Sequence, residues 1–215
     1  MTAVPPVAVQ ARSRRTQELI AEAAYALLME GGVDALTMPA LAVRAGVSVG
    51  SVYRRFGDKD RLLAAVQEGF AQTLRREVEL GYDHGPTPAD DAQPEQVIAF
   101  AVGAAVDAVM SRPRVLKVFL HLGVASPAVH DVGLRAVDQT GVRFARVLDG
   151  VPVSHPDRAA AIDFVFHLID AELSYRLLHT ADDDIDTLDW SDLRHRLTDV
   201  VIGYLLSPAT ASTRS

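Results

Sequence analysis

The 215-residue chain contains no cysteine, which excludes disulfides, thiolate-bound metals and thiol nucleophiles. It has no run of 18 or more uncharged apolar residues, so no transmembrane helix is predicted. Its start, MTAVPPVAVQARSRR, places charge after the apolar part rather than before it, the wrong order for a secretory signal. A cytoplasmic setting is expected. No stretch shows the period-two alternation of a half-buried strand, and there is no internal repeat or low-complexity tract. The glycines follow neither phosphate-loop nor dinucleotide spacing, and no G-x-S-x-G elbow is present. No enzyme activity and no cofactor are expected.

Cationic charge is also scarce. The formal net charge is −7, but it is unevenly placed. Residues 1–80 hold ten Lys+Arg against nine Asp+Glu, while residues 81–215 hold eleven against nineteen. Any attraction to a polyanion must therefore come from a local surface in the first part, with the acidic remainder turned away.

The most informative stretch is 37–56, TMPALAVRAGVSVGSVYRRF, which reads as two short helices and a tight turn. Thr37 caps the first helix by accepting an otherwise unpartnered amide proton. Pro39 falls in the first turn, where a missing N–H costs little. Gly46 supplies the turn, and Ser48 caps the second helix. On that helix Val52 and Phe56 share one face and are assigned to the core. Gly50 and Arg54 point the opposite way, flanked by Ser51 and Tyr53. Arginine can bond guanine bidentately, a tyrosine hydroxyl can reach phosphate, and glycine admits a close backbone approach. Two helices joined in this way form a helix-turn-helix, the second entering a DNA major groove.

The run Ala45-Gly46-Val47-Ser48, followed by Gly50, Tyr53, Phe56 and Lys59, resembles the signature of TetR-type transcriptional regulators. The upstream helix RTQELIAEAAYALLMEGGVDALT fits the same pattern, so the resemblance spans about 60 residues, from near Arg14 to Thr73. Val49 stands where that family often has lysine, and Arg54-Arg55 where histidines are common; these positions vary with the operator read. The resemblance implies a DNA interface of Thr37, Ser48, Val49, Gly50, Ser51, Tyr53, Arg54, Arg55 and Lys59. In it Arg54 reads bases, Thr37, Tyr53 and Lys59 hold phosphates, and Ser48 serves as cap. It also implies a homodimer joined through the last two helices, and a C-terminal pocket for a small effector.

The fold expected is all-α with about nine helices. Residues 1–12 are expected to be disordered, with Arg12, Arg14 and Arg15 forming a short arm or a solvated helix start. Residues 13–57 form the DNA-binding domain, 58–80 a connecting helix, and 81–94 a Pro-, Gly- and Asp-rich loop. Residues 95–207 form an effector-binding and dimerisation domain, and 208–215 a tail. Helix 1 buries Leu19, Ile20, Ala23, Ala24, Leu27 and Leu28. Asp58 caps helix 4, which buries Leu62, Leu63, Val66, Phe70 and Leu74. The helix over 156–180 is apolar on two faces: Ile162, Val165, Phe166, Ile169 and Leu173 form one, and Phe164, Leu168, Ala171, Tyr175 and Leu178 the other. Two faces require two partners: one can be the domain's own core, and the other either a second subunit, with the last helix, or further helices of a monomer that bury it fully.

Phe100, Met110, Phe119, His121, Phe144, Phe166 and Tyr175 are candidates to line the pocket, although aromatic residues at helical spacing more often pack as core. Their apolar bias favours a hydrophobic or amphipathic effector. Asp163, His167 and Asp170 share a helix face at a spacing that could hold a divalent metal, but no matching ligands occur elsewhere, and the wet side of a helix is the simpler reading.

Overall fold

The computed structural model describes residues 7–84, 88–89 and 91–207. Among the described residues the architecture is entirely helical. The elements are α1 (Val7–Ala35), α2 (Met38–Ala45), α3 (Val49–Phe56), α4 (Lys59–His84), α5 (Pro94–Met110), α6 (Pro113–Ala125), α7 (Pro127–Val147), α8 (Arg158–His179) and α9 (Trp190–Leu206). A short 3-10 helix, Asp182–Thr187, lies within the acidic segment before α9.

Helix starts follow identifiable local chemistry. Proline opens α5, α6 and α7, where its fixed φ suits the first turn and its missing N–H is no loss. Asp157 and Asp189 cap α8 and α9, each carboxylate accepting an amide proton three residues on, at 3.0 and 2.9 Å. Two boundaries differ from expectation. Helix α1 begins at Val7, inside the stretch expected to be disordered, because no glycine or proline interrupts the chain between Pro6 and Gly31. Helix α4 continues through Gly81 to His84, since one glycine costs only about 1 kcal/mol within a helix of this length. The rest of the expected arm, residues 1–6, and the tail 208–215 lie outside the described residues.

Two compact units emerge. The first comprises residues up to Ala71 together with Val118–Gly133. Its core gathers Ile20, Ala24 and Leu28 of α1, Leu41 and Ala42 of α2, Val52 of α3, and Leu62, Leu63, Val66 and Phe70 of α4. The Phe70 ring lies between Tyr25 and Phe119, with centroids at 6.3 and 5.5 Å. Leu19 departs from the predicted stripe and is 37% exposed, while Leu27 and Leu74 are half-buried.

The second unit comprises Gln72–Lys117 and Leu134 onward. There α5, α8 and α9 pack on one another. Ile98, Val102 and Val106 of α5 meet Ile162, Val165, Ile169 and Leu173 of α8 and Leu193, Leu197, Val201 and Leu205 of α9, all buried. Phe144 and Phe166 pack with tilted rings, centroids 5.5 Å apart. Gly141 makes room for them, because a Cβ there would stand 2.9 Å from the Phe166 ring. Lys117 ties α6 to the acidic segment through the Thr180 carbonyl and the Asp182 carboxylate, both at 2.5 Å, and Arg114 pairs with Asp186 at 2.7 Å.

Candidate nucleic-acid interface

Helices α2 and α3 have eight residues each, too short to persist alone, so their ends must be held. Thr37, in extended backbone conformation, accepts the Ala40 amide proton through Oγ1 at 3.2 Å. Its own hydroxyl proton remains to donate outward. Gly46 closes α2 in the left-handed region (φ 65°, ψ 33°), which a residue without Cβ enters at no steric cost. Ser48 then caps α3, accepting the Ser51 amide proton at 3.2 Å. Helix α1 ends as predicted: Gly31 and Gly32 leave helical geometry, Gly32 with φ 63°, and one further turn leads to Ala35.

The predicted sides of α3 are borne out at Val52, which is fully buried. Phe56, also assigned to the core, is half-buried, because it occupies the last position of the helix before Gly57 turns the chain. Gly50 and Arg54 are exposed, and Ser51 is half-buried. A hydroxyl relay runs along this side. Ser48 Oγ and Ser51 Oγ are 2.8 Å apart, and Arg54 Nη2 donates to Ser51 Oγ at 3.2 Å. The guanidinium is thereby aimed along α3 while most of its donors stay open. Tyr53 is 51% exposed, Val49 38%, and Arg55 half-buried.

Lys59 is half-buried, and its ammonium donates to the Val33 carbonyl at 3.1 Å. In this arrangement it braces the last turn of α1, beyond the break at Gly31 and Gly32, in addition to any contact with phosphate. Asp58 caps α4 as expected, accepting the Arg61 amide proton at 2.8 Å.

One feature of this unit escaped sequence reasoning. Arg44 of α2 and Glu30 near the end of α1 form a bidentate pair, Nη1–Oε2 2.5 Å and Nη2–Oε1 2.6 Å. The hydrogen bond holds the Glu30 carboxyl below its usual range and raises the guanidinium. Fourteen residues separate the partners, and no helical periodicity links them.

The seven candidate pocket residues fall in both units, Phe119 and His121 in the first and the other five in the second. Phe119 packs against the Phe70 ring in a tilted arrangement, and His121 is exposed. Phe144 and Phe166 fill the core of the second unit. Met110 is 37% exposed, and Tyr175, 58% exposed, stacks on His179 at 4.1 Å. Phe100 borders a cleft of about 500 Å³, which Val97 of α5 and Arg143, Arg146 and Val147 of α7 also line. Helical spacing distinguishes core from surface at these positions, but a core site and a pocket wall make the same demand on it.

His167 donates from Nδ1 to the Asp163 carbonyl at 2.9 Å, because a carbonyl can only accept. Asp170 is half-buried, and desolvation raises its pKa against the opposing influence of His167. Among the described residues no group of three or more metal-ligating side chains is arranged to hold an ion, and no single helix is long and apolar enough to cross a membrane.

Residues 20–66 match the family model described as "Bacterial regulatory proteins, tetR family". No curated protein sequence matches the chain. Among solved structures, a TetR transcriptional regulator from Agrobacterium tumefaciens is 25% identical, with a TM-score of 0.65 over 89% of this chain and 94% of that one. A TetR transcription regulator from Haloarcula marismortui is 19% identical, with a TM-score of 0.64 over 87% and 98%. The multidrug binding protein EbrR, complexed with imidazole, is 17% identical, with a TM-score of 0.63 over 92% and 97%. Residues 20–66 are thus a domain of the kind found in the tetR family of bacterial regulatory proteins, and the chain that carries it reads as a DNA-binding transcriptional regulator.

Proposed function

We propose that the protein is a homodimeric repressor that a small hydrophobic or amphipathic effector releases from a near-palindromic operator. Its two α3 helices would enter successive major grooves about 34–36 Å apart. The observation that carries the DNA reading is the exposed side of α3, where Arg54 is steered by Ser51 beside the bare backbone of Gly50. Arg54 reads bases; Thr37, Tyr53 and Lys59 hold phosphate; Arg55 flanks them. Residues 13–57 serve DNA binding, 58–80 connect, and 95–207 bind effector and dimerise. The setting is cytoplasmic, and no reaction is assigned.

The dimer reading is supported by α8 and α9. Phe164 is 52% exposed, Leu168 37%, Tyr175 58%, Val200 50% and Tyr204 38%, and the rings of Phe164 and Tyr204 lie 5.1 Å apart. A contiguous apolar stripe on helices that already have a buried face marks an interaction surface. A second copy buries it through a four-helix bundle.

Effector release follows if the ligand binds more tightly to the state whose α3 helices are mis-spaced for DNA. Helix α4, whose residues fall in both units, is the lever. The effector reading draws on the likeness to EbrR, which was solved with imidazole. A second reading omits the ligand and keeps the C-terminal helices as a dimerisation module; the packing of Phe144 against Phe166 favours it.

The deciding experiment is selection of random duplex DNA by the purified protein, with sequencing of what is retained. An enriched inverted repeat is expected. No enrichment at low salt, from folded protein, would sink the DNA reading. Genes beside the enriched site indicate candidate effectors, and equal effector affinity for free and operator-bound protein by calorimetry would leave only the ligand-free reading.

A further inference from the structure

The exposed side of α3 carries two parallel stripes, because residues four apart on a helix share a face. Gly50 and Arg54 form one. Val49 and Tyr53 form the other, and it is apolar. Val49 is 38% and Tyr53 51% exposed, whereas the core contact of α3 is made by the fully buried Val52. Val49 is thus only partly covered by its own unit. As a β-branched residue at the first position of a capped helix, it also offers no advantage in helix propensity. It carries neither a charge nor a donor for phosphate. Beside it Gly50 leaves open space: a Cβ built there meets nothing within 4 Å.

N-terminal residues of a recognition helix approach base edges, and the apolar group that a base pair shows in the major groove is the thymine C5-methyl. We infer that Val49 reads a thymine in each operator half-site, its methyl groups packing on the C5-methyl. This rests on the DNA-binding reading given above and specifies which base that helix selects. Arg54 lies five residues further along α3, about 7.5 Å of helical rise, which corresponds to about two base-pair steps. The half-site then places a thymine about two base pairs from the guanine that Arg54 bonds. Val43 shows that exposure alone is not the argument: at 83% it is more exposed, but it belongs to α2 and not to the helix that carries Gly50 and Arg54.

The test uses the full-length protein and the operator retained in the selection experiment. Each thymine is replaced in turn by deoxyuridine, which removes only the methyl group, and affinity is read by fluorescence anisotropy. One symmetry-related position is expected to lose about fourfold in affinity per half-site, the value of one buried methyl. Val49→Ala should bind the thymine and uracil duplexes equally, while keeping its discrimination at the guanine position. Val49→Ile, which retains the methyl groups, should preserve the thymine preference. Circular dichroism and thermal melting check that both variants fold. If no thymine is methyl-sensitive, or if Val49→Ala keeps the same sensitivity, the inference fails while the DNA reading stands. If the selection yields no site at all, both fail.

Discussion

Helices α2 and α3 have eight residues each, whereas α8 has 22, and the two units are held by different means. In the first unit short helices depend on their ends: Thr37, Ser48 and Asp58 each accept an amide proton, and Gly46 and Gly57 turn the chain with positive φ. In the second unit Asp157 and Asp189 cap α8 and α9 in the same way, and length adds buried surface to the caps. Helix α8 buries seven side chains from Ala161 to Leu177 and still leaves Phe164, Leu168 and Tyr175 in solvent. Where the chain must present a polar surface in fixed geometry, it uses local side-chain chemistry. Where it must present an apolar surface, it uses a helix with more apolar stripes than its own domain can cover.

Four sets of variants would break or sharpen this contrast. The largest effect is expected at the surplus stripe. A charge at Phe164→Glu should leave the subunit folded but dissociate the proposed dimer. Burial of an aromatic ring is worth about 1.5–3 kcal/mol, and symmetry counts each site twice, so the loss should exceed about 3 kcal/mol per dimer. Light scattering at micromolar protein checks it; an unchanged dimer mass would remove this face from the interface.

Next comes the polar surface. Arg54→Ala should weaken specific binding by about 1–3 kcal/mol and relax one base position per half-site. Repeating the duplex selection with the variant reads this directly, and an unaltered preference at every position would deny Arg54 a role in base readout.

Ser48→Ala should cost about 1 kcal/mol of stability, as N-cap losses do, and should also release Ser51 and Arg54 from their relay. Urea denaturation gives the first quantity. A variant with wild-type stability would mean that tertiary packing, rather than the cap, holds α3.

The smallest effects concern two carboxylates of opposite character. The pKa of Glu30 is lowered, chiefly by its hydrogen bond to Arg44. The stability it contributes is present above its unfolded pKa and is lost as pH falls through the lower folded value. The pKa of Asp170 is raised by desolvation. It therefore opposes folding above the raised value, and that opposition fades as pH falls toward the unfolded value. Glu30→Gln should destabilise at neutral pH, Asp170→Asn should stabilise, and both differences should shrink in acid. Matched denaturation series at pH 7 and pH 4 test the signs; a destabilising Asp170→Asn would show that the carboxylate is better solvated than its burial implies.

Legibility also divides along this line. Thr37, Gly46, Ser48 and Asp58 could be placed from sequence because a cap or turn is a contract between residues one to three apart. The buried stripe of α8 was equally readable from helical period. The fate of Phe119, Phe144 and Phe166 was not. Each lies on an apolar face at the right spacing, and a core site and a pocket wall make the same demand on a single helix. The Glu30–Arg44 pair was beyond reach for a related reason, since its partners meet only when α2 has folded back on α1.

Sequence alone sufficed for the all-helical class, the helix-turn-helix and the side of α3 that faces outward, because periodicity, caps and glycine turns act within a few residues. Only folding decided that Lys59 braces the Val33 carbonyl, that Arg54 leans on Ser51, and that Phe144 packs against Phe166. Those outcomes depend on which distant surfaces compete for the same space, and burial and hydrogen-bond satisfaction are settled only when all of them arrive together.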